Sequence, residues 1–312
     1  VGRLGVFGAM LSCPWGGVRG GCLGFCPAGG PGGRRAGRGG GWKRGGTGRL
    51  GRVWVWGAFG RCVAVVWGGW FGFVGDERDG TGVMQGSGVA VRMKRFVLGP
   101  FGTNCYVLYA PDGGGEGASE GAGEGGPAWI VDAGFDPGEM VGFVREAGLR
   151  VEKIVLTHAH ADHIAGLDEV REACPEAEVL IHPIEAGWLG EAELNLSAGM
   201  GVPIRVGAAD GEVSDGERLE LGGVGFEVRH TPGHSPGHVV LHAPSLGMVL
   251  AGDTLFRGSV GRYDFPTSDG EALMRSIREV LYAMPDETAV YPGHGESTTI
   301  GAEKSGNPFV RG

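Results

Sequence analysis

The chain has 312 residues, of which 42% are hydrophobic, and this is enough apolar sequence for a sizeable globular core. Thirty-six acidic and 27 basic side chains give a formal net charge of −9, which argues against a nucleic-acid backbone as the substrate. The apolar stretch at 53–75 is interrupted by Arg61, and its uncharged part, 62–75, is shorter than the roughly 20 residues of a membrane-spanning helix. The sequence therefore predicts neither a nucleic-acid partner nor a membrane partner.

Residues 1–92 differ in composition from the rest of the chain. They hold 30 of the 67 glycines and 6 of the 8 tryptophans, with 12 basic and 3 acidic side chains. Glycine and arginine enrichment without a repeat is typical of a disordered basic arm, and the apolar stretch makes a membrane anchor the second interpretation. We favour a third, in which 1–92 are a low-complexity segment translated from a start site placed too far upstream and Met93 is the natural start. Residues 93–312 then form one domain.

From Met93 onward, short apolar runs alternate with helical patterns. A Gly/Glu/Ala/Ser stretch at 111–127 has no apolar periodicity and predicts a mobile surface loop. Helices are predicted at 137–147, 166–173 and 269–283. Strands are predicted at 93–98, 104–110, 128–132, 151–156, 178–182, 226–230, 239–242, 248–251 and 289–291. This order favours the α+β class, with two packed sheets flanked by helices.

Cysteine usage in the predicted domain indicates the compartment. Only Cys105 and Cys174 of the six cysteines lie after residue 92. Cys105 falls in a predicted strand and Cys174 near a helix end, so the pair does not suggest a disulfide framework. We therefore expect a reducing, cytoplasmic location.

The segment 157–163, Thr-His-Ala-His-Ala-Asp-His, is the most informative part of the chain. It directly follows a predicted strand, and its imidazoles and carboxylate are good ligands for divalent metals. Three more candidate ligands, His234, Asp253 and His294, each follow another strand-like run and are flanked by glycine. The candidates number seven, which is enough for two metals that share one carboxylate: His158, His160, Asp162, His163, His234, Asp253 and His294.

The order His-x-His-x-Asp-His at 158–163 resembles the signature of the metallo-β-lactamase superfamily, and the resemblance extends over about 93–312. It implies an αββα sandwich with two metals at one edge of the sheets. By the same resemblance, one metal is held by His158, His160 and His234. The second is held by Asp162, His163 and His294, and Asp253 bridges both. Zinc is the expected metal, and such mixed sites also accept iron or manganese.

Two divalent cations that share a water molecule lower its pKa toward neutrality, so the expected chemistry is hydrolysis by a metal-bridging hydroxide. Asp162 and Asp253 are the predicted catalytic carboxylates. Asp132, which ends a predicted strand, is a candidate for orienting a ligand imidazole, with a loop cap as the alternative. Thr157 is predicted to support the ligand turn. For His182, His230, His238 and His242 we expect structural hydrogen bonding.

The segment from Gly252 to Pro266 resembles the glyoxalase II branch, that is, hydroxyacylglutathione hydrolases and their short bacterial relatives without a C-terminal helical domain. That resemblance implies a small-molecule thioester substrate such as S-lactoylglutathione. It places Arg262 where a basic residue grips a glutathione carboxylate, and a guanidinium suits carboxylate recognition. A structural salt bridge with Asp264 is the alternative for Arg262. Tyr263 and Arg257 are further candidates for the pocket wall.

Other activities on the same fold remain as alternatives. Persulfide dioxygenases share the histidine cluster and a Gly-Arg-x-Asp-Phe segment but use one iron, and the setting of His294 in Pro292-Gly293-His294-Gly295 favours the hydrolase. A nuclease would be expected to carry an added basic domain. A true β-lactamase would lack a bridge of the Asp253 type. A role in binding without catalysis has little to support it while all seven ligands are present.

Overall fold

The computed structural model describes the side chains of 91–110 and 125–312, and the backbone alone of 51–57, 60–67, 70–71, 74–76, 81–85 and 90. Most of the predicted low-complexity segment and most of the predicted loop at 111–127 therefore lie outside the described residues. Within the described part of the chain, the helices include none that is both long and apolar enough to cross a membrane.

The first sheet contains eleven of the described strands in the order β1-β2-β4-β5-β6-β7-β8-β9-β10-β11, with β3 beside β2. Strands β8, β9, β10 and β11 are parallel to one another, and the remaining pairs are antiparallel. The strands are β1 Gly51–Gly57, β2 Gly60–Trp67, β3 Trp70–Phe71, β4 Val74–Asp76, β5 Thr81–Gln85, β6 Ala90–Leu98, β7 Thr103–Tyr109, β8 Pro127–Val131, β9 Arg150–Val155, β10 Glu178–Ile181 and β11 Gly211–Glu212.

The second sheet has six strands in the order β12-β13-β14-β15-β18-β19, and β15 and β18 form its parallel pair. These strands are β12 Arg218–Leu221, β13 Val224–His230, β14 Val239–Ala243, β15 Met248–Gly252, β18 Ala289–Pro292 and β19 Thr298–Thr299. Strands β16 (Leu255–Phe256) and β17 (Ser259–Val260) form a separate short hairpin.

Helices cover the outer faces of the two sheets. The α-helices are α1 Gly138–Glu146, α2 Ala161–Ile164, α3 Leu167–Ala173, α4 Gly270–Ser276 and α5 Ile300–Gly306. Short 3₁₀ helices occupy Pro183–Gly190, Ser197–Met200 and Pro244–Leu246, and α4 continues as a π-helical turn over Ile277–Leu281.

Alternating side chains on the central strands build four layers. On β8, Trp129 points between the sheets and meets Phe226 of β13 with ring centroids 5.2 Å apart. Its neighbour Ile130 points to the opposite face, into the cluster that contains Met140 of α1. Beyond the second sheet, Leu273 of α4 packs in a third cluster. Because β8 is covered on both faces, nearly all of its residues are apolar. The predicted αββα sandwich is confirmed.

The predicted strands and helices are present with shifted ends. The strand predicted from Met93 begins at Ala90, because its upstream residues continue to pair with β5 and β7. The helix predicted at 269–283 changes its hydrogen-bond pattern at Ile277. Helix α5 and the 3₁₀ helix over Pro183–Gly190 did not stand out in the sequence, because both are short and contain glycine.

Candidate metal centre

Strand ends bring the four candidate ligand segments to one edge of the sandwich. His158 follows β9, Asp253 follows β15 and His294 follows β18, while His234 lies in the loop between β13 and β14. The carboxyl ends of parallel strands face the same edge, so the parallel pair β15 and β18 places Asp253 beside His294. A backbone hydrogen bond from Asn104 to Gly293 O, 2.6 Å long, ties β7 to the segment of His294.

His158, His160 and His234 form the first group of candidate ligands, each with one nitrogen within 4.8 Å of the others. His160 Nδ1 lies 2.9 Å from His234 Nε2. Because His234 Nδ1 donates a hydrogen bond to Arg262 O at 2.8 Å, its Nε2 carries the lone pair in the neutral ring. The two nitrogens can share a proton, or they can both direct lone pairs at one cation.

Asp162, His163 and His294 form a second group with the same spacing. His294 Nε2 lies 3.1 Å from Asp162 Oδ2, and His163 Nε2 lies 3.6 Å from the same oxygen. The Asp253 carboxylate reaches both groups: its Oδ2 is 3.5 Å from His234 Nε2 and 3.5 Å from His294 Nε2, and its Oδ1 is 3.4 Å from His163 Nε2.

Buried polar atoms at this point fit a metal centre. Within the described part of the chain, His158 Nε2, His163 Nε2 and Asp253 Oδ1 are buried without a hydrogen-bond partner. An unpaired buried polar group costs roughly 1–3 kcal/mol, and cations bound by the two groups would satisfy these atoms. Gly293 leaves the space that this requires, because a Cβ there would overlap the Asp253 carboxylate. The His/Asp clusters in this fold imply divalent metals.

Partners behind the rings of His163 and His294 fix which nitrogen each of these two histidines presents. His163 Nδ1 donates to Asp132 Oδ2 at 2.8 Å, since a carboxylate can only accept, and His294 Nδ1 donates to Phe101 O at 3.2 Å. Asp132 also accepts bonds from the backbone N–H of Thr157 at 2.8 Å and from its hydroxyl at 2.9 Å. In the neutral form of His163 and of His294, Nε2 is therefore left with its lone pair toward the centre.

Burial and neighbouring charges divide the imidazoles by their pKa values. Burial, together with the adjacent rings, lowers the pKa of His158 well below its ordinary value and lowers the pKa of His160 to about 3. Burial also opposes charge on His163, but the carboxylates of Asp162, Asp132 and Asp253 raise its pKa above the ordinary value. His158 and His160 thus offer neutral nitrogens, whereas the carboxylates around His163 favour a positive charge on its ring.

Asp132→Asn is expected to lower the affinity for divalent metal by roughly 10–100-fold, because the amide provides one acceptor oxygen for the bonds from Thr157 and His163. Competition with a chromophoric chelator measures this affinity. Asp136→Asn, at a nearby exposed loop residue that also has a positive φ, is the matched control. An unchanged affinity in Asp132→Asn would contradict an orienting role for Asp132.

Sequence reasoning missed three buried polar residues of the centre. The Thr103 hydroxyl donates to Asp162 Oδ2 at 3.0 Å, and Asn104 Nδ2 donates to Pro292 O and Gly295 O, both at 2.9 Å. Glu185 accepts backbone bonds from two of the ligand segments. The signal was present for Glu185, as the one charged side chain in the apolar run Pro183–Gly190.

Of the four histidines for which structural hydrogen bonding is predicted, His182, His230 and His238 are occupied by hydrogen bonds or ring contacts. His242 lies on β14 with its Nδ1 3.9 Å from Glu227 Oε2, which is too long for a hydrogen bond. His238 Nε2 accepts from the backbone N–H of Asp253 at 2.9 Å, so its Nδ1 donates toward Thr231 Oγ1, which is 2.9 Å away. His182 and His230 stack on each other with ring centroids 4.4 Å apart.

Arg262 lies at the rim of the centre. Its guanidinium pairs with both oxygens of Asp264, at 2.9 and 3.0 Å, and lies 4.3 Å from the ring centroid of Phe265. The Phe265 ring in turn contacts His160 and His234, with centroids 5.3 and 5.8 Å apart. Tyr263 is 45% exposed. Arg257 pairs with Glu296 on the surface.

Comparison with known sequences agrees with this geometry. The sequence model of the metallo-β-lactamase superfamily matches residues 98–294. The chain is 35% identical over 223 residues to the probable metallo-hydrolase YqgX of Bacillus subtilis, an alignment that covers 71% of this chain and 99% of that protein. It is 34% identical over 185 residues to the hydroxyacylglutathione hydrolase GloC of Haemophilus influenzae, covering 59% of this chain and 87% of that protein.

Solved structures are similar as well. The BLEG-1 B3 metallo-β-lactamase is 37% identical with a TM-score of 0.64, and the match covers 70% of this chain and all of that one. TTHA1623, in a di-iron-bound form, is 36% identical with a TM-score of 0.58, covering 69% and 99%. ETHE1 from Myxococcus xanthus is 26% identical with a TM-score of 0.52, covering 69% and 83%.

Proposed function

The chain belongs to the metallo-β-lactamase superfamily, and on that basis we propose that it is a dinuclear metal-dependent hydrolase of thioesters such as S-lactoylglutathione. The observation that carries the proposal is the position of Asp253. Its carboxylate lies within 3.5 Å of ring nitrogens from both groups of candidate ligands. One carboxylate in contact with two groups is what a pair of cations requires for a fixed spacing.

In such a centre, the two groups of candidate ligands would each bind one cation, and Asp162 would also contact the water. His158, His160 and His234 would hold one cation, and Asp162, His163 and His294 the other. When bound, two divalent cations activate water near neutral pH and polarise the carbonyl that the water attacks. Asp162 has the more accessible carboxylate, with its side chain 16% exposed against 9% for Asp253, so it is placed to accept a hydrogen bond from the attacking water.

Zinc is the proposed metal, because three-histidine and mixed histidine-carboxylate sites suit it. The same donors accept iron or manganese, and the similar protein TTHA1623 has been seen with two irons. Elemental analysis of the protein purified without added metal distinguishes these ions.

Arg262 supports a substrate that carries a carboxylate. Its backbone oxygen is bonded to a ring of the first group, so its side chain extends from the edge of the centre. The guanidinium is 65% exposed and already holds the Asp264 carboxylate in a two-bond arrangement, which a substrate carboxylate can replace. The sequence similarity to a hydroxyacylglutathione hydrolase favours glutathione thioesters within this class.

Arg262→Ala is expected to raise the KM for S-lactoylglutathione by roughly 10–100-fold with a smaller change in kcat, because a charge pair remote from the reacting bond contributes mostly uniform binding. A simple thioester without the glutathione carboxylates should depend little on Arg262. Steady-state kinetics of both substrates, in wild type and variant, measure the difference.

Arg150→Ala is the matched control, since Arg150 is also exposed and pairs with a carboxylate, that of Glu152, at 3.0 Å. It should leave both substrates unaffected. Equal dependence of the two thioesters on Arg262 would assign this residue a structural role and contradict carboxylate recognition.

A persulfide dioxygenase is the second candidate, and the observation that favours it is the Gly261-Arg262-Tyr263-Asp264-Phe265 segment beside the first histidine group. Oxygen consumption with glutathione persulfide, one iron per chain and no thioester cleavage would replace the hydrolase proposal. The similarity to a B3 metallo-β-lactamase adds a β-lactam to the panel of substrates. Cleavage of the β-lactam alone would contradict the thioester proposal.

A further inference from the structure

Glu185 is a buried carboxylate that joins two ligand segments from different sheets. Its side chain is fully buried in the 3₁₀ helix Pro183–Gly190. Its Oε2 accepts a 2.7 Å hydrogen bond from the backbone N–H of Ala159, and its Oε1 accepts one of the same length from the N–H of Gly237. Bonds from N–H groups to a carboxylate are about twice as strong as those between neutral groups.

The two donors bracket one group of candidate ligands. Ala159 lies between His158 and His160 in the segment after β9 of the first sheet, and Gly237 lies three residues after His234 in a loop of the second sheet. One backbone bond, from Val239 to Thr157 O at 2.9 Å, also links these segments. The 3₁₀ helix of Glu185 additionally brings the Trp188 ring to the His160 ring, with centroids 6.4 Å apart.

The close approach of Glu185 and Gly237 requires glycine. A Cβ at Gly237 would lie 2.9 Å from Glu185 Cγ and 3.1 Å from Glu185 Oε1. Gly237 is not among the glycines with a positive φ, so alanine suits the backbone there and its effect would be transmitted through the Glu185 contact. Position 237 therefore offers a way to displace the carboxylate without changing its charge.

We propose that Glu185 is a positioning residue that sets the metal affinity of the His158, His160 and His234 group and leaves that of the Asp162, His163 and His294 group nearly unchanged. The inference rests on the dinuclear centre of the proposed function and is independent of its substrate. Both loops of the first group are fixed at one carboxylate, so the spacing of their three nitrogens depends on it.

The test compares variants in the apoprotein by titration with Co²⁺ and by competition for Zn²⁺ with a chromophoric chelator. Glu185→Gln keeps the size of the side chain, but its amide NH₂ faces one of the two N–H donors, so one loop is released. We expect one equivalent of metal to bind roughly 10–100-fold more weakly, with the other changed less than about threefold. Gly237→Ala should act in the same direction, and the double variant should be no weaker than the weaker single variant.

Combining Glu185→Gln with a variant that lacks one ligand of either group identifies which of the two metal sites is weakened. In Asp162→Ala, where the first group remains complete, Glu185→Gln should lower the affinity of the remaining cation by the same 10–100-fold. In His160→Ala, where the second group remains, it should have almost no effect. Reversal of these results, or equal weakening of both equivalents, would overturn the inference.

Glu303→Gln is the matched control, because Glu303 is also buried and also joins loops, accepting from Gly258 N at 2.9 Å and Thr298 Oγ1 at 2.6 Å. A loss of thermal stability in both variants with metal affinity unchanged in both would show that Glu185 is structural only. A wild type that binds a single cation would contradict the dinuclear centre, and the Glu185→Gln titration would still test the inference on that cation.

Discussion

Asp253→Ala is expected to lower the rate of thioester hydrolysis by at least about 10²-fold, more than any variant of the residues behind the ligands. The reason is that Asp253 is the carboxylate in contact with both ligand groups, through oxygens 3.4–3.5 Å from the rings of His163, His234 and His294. In the proposed dinuclear centre, its loss would leave the two cations without a shared negative charge between them. The rate and the metal content per chain are measured together.

Asp253→Asn separates the charge from the shape of this side chain, because the amide keeps one acceptor oxygen. It should retain more metal than Asp253→Ala but remain strongly impaired. Asp286→Ala, which removes an exposed carboxylate paired with Lys304, is the control and should be fully active. An Asp253→Ala protein with most of its activity and both metals would show that the carboxylate is not a bridge.

The centre could be approached from the sequence because its ligand segments are local features. Each follows an apolar run whose composition predicts a strand. Four of the seven candidate ligands also lie within six consecutive residues, 158–163. Whether these segments meet depends on strand order, and β15 and β18 are parallel neighbours although separate hairpin and helix segments lie between them in the chain. The family resemblance provided this order, which residue patterns alone do not contain.

What lies behind the ligands was less predictable, because it depends on tertiary contacts. Asp132 could be proposed from its place at a strand end, and the structure shows it bonded to His163 and Thr157. Glu185 and Asn104 are separated in the chain from the segments they bond, and an isolated Glu or Asn in an apolar run is consistent with several roles. Their partners are mostly backbone groups, which leave no trace in residue identity.

The role of Arg262, at the rim of the metal centre, was also only partly predictable from the sequence. Arg262 was singled out by resemblance, with an ion pair to Asp264 as the alternative, and the structure contains this ion pair. The ion pair and substrate recognition are compatible, because both residues are largely exposed and exposed pairs are weak, typically 0.2–1 kcal/mol. Kinetics with two thioesters therefore decide the role of Arg262, and the presence of the pair does not.

His163→Ala is expected to lower the bound metal below about two per chain and to abolish hydrolysis. The reason is that this ring lies between the carboxylates of Asp162 and Asp253. Its Nε2 is 3.4 Å from Asp253 Oδ1 and 3.6 Å from Asp162 Oδ2, and its Nδ1 is held by Asp132 at 2.8 Å. His160→Ala should have the same consequence through the first group. Elemental analysis after reconstitution with excess metal and removal of the unbound ions measures the stoichiometry.

His242→Ala is the matched control for both variants, since His242 is a partly buried histidine of β14 whose nearest carboxylate, that of Glu227, lies 3.9 Å away on the neighbouring strand. It should keep two metals and full activity. If each ligand group holds its own cation, His160→Ala and His163→Ala should each retain about one metal, and only the double variant should lose both. A wild type with at most one metal after full reconstitution would contradict the dinuclear centre, because seven donors would then serve a single ion.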